Sequence, residues 1–154
     1  MTQEQLKQIA DDPKAFLNKG YRAKERIEAK RARIASWQQL AESITAELSD
    51  MPAGVGPSKI VENSVCNIVD LQKEISEDIQ ELIKIEHEIS LAINSFVLSP
   101  TYKAVLEMRY LNYYKWEEIA FKLSYTFNWT LAIHKRALST IAKESVLMGA
   151  SSVL

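Results

Sequence analysis

An all-α chain is the fold class this sequence predicts: a long antiparallel, coiled-coil-like helical hairpin followed by a C-terminal helix-turn-helix unit. Three observations carry that expectation. The 154 residues hold four Gly and four Pro, and half of each falls within DMPAGVGPS, residues 50–58. Val61, Ile68, Ile75, Leu82, Ile89 and Phe96 then recur seven residues apart, the spacing of a helix that buries one seam. Finally, KWEEIAFKLSYTFNWTLAIHKRAL, residues 115–138, has two short amphipathic runs around a tight turn.

Residues 2–18 read as one or two short helical turns. Asp12-Pro13 is a helix start, with a side-chain oxygen at the cap and proline in the first turn. Gly20 is expected to loosen the chain before a long helix over 21–49. There Ile34, Trp37, Ala41, Ile44 and Leu48 step by three and four; Ile27 keeps the register, and Lys30 and Arg31 interrupt it. The Pro/Gly break at 50–58 reads as a loop between antiparallel helices.

The second long helix covers 59–98. Leu71, Ile85 and Ala92 accompany its heptad residues, while Ser64 and Asp78 fall at equivalent positions as polar exceptions. At 1.5 Å per residue it reaches about 60 Å, against about 45 Å for the first, so its stripe needs the 21–49 helix, another copy of the chain, or both, and part of it is left for a partner. Ser99-Pro100 starts the C-terminal part, whose periodicity predicts helices near 100–112, 115–123 and 126–143. The expected domains are 1–98, 99–143 and a tail over 144–154.

Charge is unevenly spread. Residues 51–100 carry three basic and eight acidic side chains, and residues 101–154 carry seven and four. Residues 19–36 hold seven basic side chains against two acidic. Opposite-signed helix faces account for this, and so does a basic C-terminal third that faces phosphate.

Catalysis is not expected. His87 and His134 fall on different helices, and neither has a nucleophile in a recognisable pattern. The carboxylates at Glu77, Asp78, Glu81, Glu86 and Glu88 are the polar face that a heptad helix needs. Cys66 is the only cysteine, GVG at 54–56 lacks the lysine of a phosphate loop, and no cofactor or metal is expected. Without a signal-type leader or an 18-residue apolar stretch, a cytoplasmic protein with no membrane contact is expected.

The 115–138 segment divides into two faces. Ile119, Ala120 and Leu123 form the inner side of the first helix, Tyr125 tucks inward at the turn, and Thr130, Ile133, Ala137 and Ile141 follow, with Leu138. Outward-facing residues near the start of the second helix are Phe127, Asn128, Leu131 and Ala132. Asn128 offers an amide for adenine, and the apolar three suit thymine methyls. Thr126 caps the helix, whose free N–H groups suit phosphate, as do His134, Lys135 and Arg136.

Residues 101–142 resemble region four of bacterial sigma factors. The resemblance rests on Arg109-Tyr110, Trp116-Glu117-Glu118-Ile119-Ala120 and Lys135-Arg136-Ala137-Leu138. Across most of its length the chain is similar to the ArpU and RinA late-transcription regulators of phages of Gram-positive hosts. That resemblance implies a regulator of a phage or prophage gene module that binds double-stranded promoter DNA and helps host RNA polymerase. The residues facing DNA would then be Phe127, Asn128, Leu131 and Ala132, positions that are mostly charged or polar in sigma-like proteins. Two alternatives compete with it. One is a protein-interaction module with little DNA contact, which an apolar outward face favours. The other is a small DNA-packaging recognition subunit that assembles as a ring. A homo-oligomer through the long helices is expected for the regulator, because one reading helix is weak alone.

Overall fold

Hydrogen-bonding side chains and prolines punctuate the chain where the sequence places them. The computed structural model describes residues 1–48 and 58–151, and these are all-α: seven helices with no strand among them. Helix α1 (Gln3–Asp11) opens with a capping box, in which Thr2 Oγ1 accepts from the Gln5 N–H and the Gln5 side chain accepts from the Thr2 N–H. Helix α2 (Pro13–Leu17) starts at Asp12, whose carboxylate accepts from the Ala15 N–H at 3.1 Å. Helices α3 (Lys19–Leu48) and α4 (Ser58–Phe96) are the two long ones. Ser99 caps α5 (Pro100–Tyr110), and α6 (Trp116–Leu123) and α7 (Phe127–Ser151) complete the chain. The loop expected at 50–58 lies outside the described residues, except for Ser58, the first residue of α4.

The helices form two compact units: Met1–Arg22 with Ile83–Leu154, and Ala23–Leu82. In the second, Ile27 and Ile34 of α3 bury against Leu71 and Ile75 of α4, with Trp37, Ile68, Ile79 and Leu82 packed around them. The polar exceptions in the two apolar stripes meet here. Lys30 from α3 bonds Asp78 from α4 and lies 3.5 Å from Glu74. Lys30 and Asp78 are only 13% and 21% exposed, so each charge has given up water for the other.

In the first unit α7 is the common partner, packing against α1, α2, α5 and α6. Its buried side, Thr130, Ile133, His134, Ala137, Ile141 and Ser145, follows three- and four-residue steps. The larger cluster gathers Leu6, Ile9, Phe16 and Leu17 with Ile89, Ile93 and Phe96 of α4, Val97 just beyond it, Leu106 and Tyr110 of α5, and Ala137 and Ile141. The C-terminal half of α7 is thus held by α1, and the helix runs to Ser151, beyond the expected end at 143.

Gly20 does not loosen the chain, because α3 starts at Lys19 and runs through it. Its missing side chain makes room instead. A Cβ there would stand 2.6 Å from the Tyr113 hydroxyl, which donates to Glu86 Oε1 at 2.7 Å. Tyr113 holds a left-handed backbone at φ 61°, and its ring stacks edge-on against Tyr21.

Removing one partner of the Lys30–Asp78 pair strands a half-buried charge, whereas removing both does not. Asp78→Ala is therefore expected to cost about 1–3 kcal/mol in urea unfolding. The double change Lys30→Met with Asp78→Leu should recover most of that loss. Ile141→Ala, at a fully buried site, should cost about 2–5 kcal/mol in the same measurement.

Candidate nucleic-acid interface

Two helix ends and the turn between them build this surface. Ser124 ends α6 in the left-handed conformation, φ 56° and ψ 39°. Its N–H bonds Phe121 O at 3.2 Å, and the next N–H, from Tyr125, reaches back to Ala120 O at 2.9 Å. That pair of bonds is a Schellman motif, which stops a helix and turns the chain sharply. Glycine commonly takes the left-handed position, so serine holds it at a cost. Two residues later Thr126 caps α7, its hydroxyl accepting the Trp129 N–H at 3.1 Å.

The buried side matches the expected inner residues closely. Ile119, Thr130, Ala137 and Ile141 are fully buried, Ile133 and Ala120 nearly so, and Leu123 packs at the edge. Thr130 satisfies its hydroxyl by donating to Thr126 O at 2.9 Å. Tyr125 differs from expectation and is exposed. The inward space is taken by Val105, Ile119 and Ile133, ringed by Tyr102, Met108, Tyr114, Trp116 and Leu123.

On the outer side Thr126, Phe127, Asn128, Lys135 and Arg136 are exposed, while Leu131 and Ala132 are half-buried. His134, expected among the phosphate-facing residues, lies inside instead. It falls four residues after Thr130 and seven before Ile141, on the same stripe, so the helix period turns it inward. The imidazole packs edge-on against Trp116, with centroids 4.5 Å apart, and its Nε2 lies 2.6 Å from the Tyr110 hydroxyl.

Burial, helped by the nearby positive charges of Lys14 and Arg109, pulls the His134 pKa down to about 4. Burial also holds the Tyr110 phenol above its ordinary range. At neutral pH both groups are uncharged, so His134 brings no positive charge to the surface.

Arg109 was not foreseen as a structural hub. Its Nη1 donates to Tyr114 O at 3.0 Å, and its guanidinium lies 4.6 Å from the Trp116 ring centroid and 5.1 Å from that of Tyr21. Arg109, Tyr110 and Trp116 thus contribute to one packed cluster. The signal for it was available in His134, whose place on the apolar stripe marks it as inward.

Cations dominate the turn and the α7 side of this surface, while exposed Glu117 and Glu118 lie in the first turn of α6 and Glu144 follows Lys143. Residues 121–143 include Lys122, Lys135, Arg136 and Lys143 and no acidic side chain, and all four cations are exposed. Arg136 lies over the Trp129 ring at 5.1 Å, and Lys122 over the Tyr114 ring at 5.0 Å. Among the described residues no three His, Cys, Asp or Glu side chains converge as a metal site would require. No described helix is long and apolar enough to cross a membrane. Compared with family models, curated proteins and solved structures, the chain finds no match.

Two measurements follow. Ser124→Gly relieves a left-handed serine and should raise stability by about 0.5–1 kcal/mol in thermal or urea unfolding. The second concerns pH. The unfolded chain takes up the His134 proton near 6.5 and the folded chain only near 4. Stability from the neutral imidazole is therefore complete above 6.5 and is lost as pH falls toward 4. His134→Gln should remove this component, so wild type should show the larger drop in Tm between those pH values, by roughly 3 °C or more.

Proposed function

We propose that this chain is a phage or prophage transcriptional regulator that binds promoter DNA through α6 and α7, acting as a sigma-like helix-turn-helix. The observation that carries this reading is the start of α7. A Schellman turn and a threonine cap present its first-turn side chains on a helix that also carries exposed Lys135 and Arg136, with exposed Lys122 on α6 and no acidic side chain in 121–143. Helix N-termini and cations both favour phosphate. In this reading Thr126 and the helix start position the backbone, Lys135 and Arg136 neutralise phosphates, and Asn128 reads a base edge. Phe127, Leu131 and Ala132 meet thymine methyls.

The sigma-like residues further suggest RNA polymerase as a partner. The long helices α3 and α4 form the hairpin of this reading and pair copies of the chain. Leu40, Val65 and Val69, each more than half exposed, supply apolar surface for that pairing. A second reading, a protein-docking module, draws on the exposed rings of Phe121 and Trp129.

Binding to duplex phage promoter DNA across a salt series separates the two. Lys135→Ala with Arg136→Ala should lower duplex affinity about tenfold or more and flatten the salt dependence by about two ions. Both side chains are exposed, so the fold should survive. Undetectable duplex binding by the wild type at low salt would sink the regulator reading. Unchanged affinity in the double variant would favour protein docking.

A further inference from the structure

Four aromatic side chains, Phe121, Tyr125, Phe127 and Trp129, are exposed within nine consecutive residues spanning the end of α6, the turn and the first turn of α7. Phe121 is 87% exposed, and nothing in the fold accounts for a phenylalanine so placed. A closed duplex does not account for it either. Base pairs show only their edges in the grooves, and their faces are hidden by stacking. Rings beside cations are instead the equipment of surfaces that take unpaired bases, with the faces stacking and the backbone neutralised.

We propose that this turn binds single-stranded nucleic acid, stacking unpaired bases on Phe121, Tyr125, Phe127 and Trp129. The inference rests on reading this face as a nucleic-acid interface and names a second form of ligand for it. Lys122, Lys135 and Arg136 supply the charge complement to the strand's phosphates, and Asn128 bonds a base edge. Arg136 is already placed for the task. With its guanidinium over the Trp129 ring at 5.1 Å, it steadies the indole and keeps N–H groups for a phosphate. An apolar protein partner would cover the same rings only by desolvating Lys135 and Arg136, which have no acidic side chain within a helical turn on α7. A single strand satisfies rings and charges together.

The test is fluorescence anisotropy of the full chain with labelled oligothymidine and oligouridine of about 20 nucleotides, alongside a mixed-sequence duplex of equal length. Phe121→Ala and Trp129→Ala should each weaken single-strand binding by about 5- to 150-fold and shift duplex affinity by no more than about twofold. Phe121→Tyr and Trp129→Phe, which keep a ring, should stay within about threefold of wild type, separating stacking from damage to the fold. Preference for oligouridine or oligothymidine assigns the strand as RNA or DNA, and either supports the proposal. Duplex binding without single-strand binding overturns the proposal and leaves the regulator reading standing. Loss of both overturns both. Single-strand binding indifferent to all the ring variants reports phosphate attraction alone and overturns the proposal. So does failure to bind single strands in a chain whose Trp129→Ala variant loses RNA polymerase, which assigns the face to protein.

Discussion

The buried stripe of α7 is the constraint on which the first compact unit depends. Thr130, Ile133, His134, Ala137, Ile141 and Ser145 lie on one side of a 25-residue helix, and α1, α2, α5 and α6 all pack against that helix. A helix this long stays straight only when neighbours cover its apolar side along its length. Here α5 and α6 cover the N-terminal half through Val105, Ile119 and Ile133, and α1 joins at the C-terminal half. Once the inner side is committed, the outer side follows from the 100° advance per residue. Asn128, Lys135 and Arg136 face solvent because Thr130, Ile133 and Ala137 do not.

That same commitment explains the polar groups inside the unit. His134 is tolerated on the stripe because Tyr110 meets its Nε2 and Trp116 covers its ring. Arg109 is tolerated nearby because its guanidinium spreads over two aromatic faces while bonding a carbonyl. Each buried donor or acceptor therefore has a partner, and no unsatisfied buried side-chain N or O occurs among the described residues. Arg109 apart, Lys122, Lys135, Arg136 and Lys143 keep their charges in solvent.

The second unit solves a different problem. Two amphipathic helices with matching apolar stripes can slide by a heptad and still bury Leu and Ile. Lys30 opposite Asp78 and Glu74 removes that freedom, since a shifted register would bury a lone ammonium. The pair contributes alignment more than net stability, and the residues that break each stripe are the ones that align them.

Helix order and most helix starts were legible in the sequence, because they depend on local chemistry, while residues 2–18 read as one or two turns and hold two helices. Thr2, Asp12, Ser99 and Thr126 cap through bonds to backbone three residues away. The inner residues of α6 and α7 were legible for the same reason, since period alone places them. Two features were not legible, and a third, His134, was legible from its place on the stripe but was expected outward. Gly20 sits inside a helix because Tyr113, ninety-three positions on, needs its space. Tyr125 is exposed, while the core beneath the turn is built from Val105, Ile119 and Ile133. His134 is a basic-looking residue beside Lys135 and Arg136 by sequence, and a neutral core residue by position. Local spacing could determine which side of a helix each residue takes, but only the tertiary structure decided what meets it there, because that contact depends on segments far away in the chain.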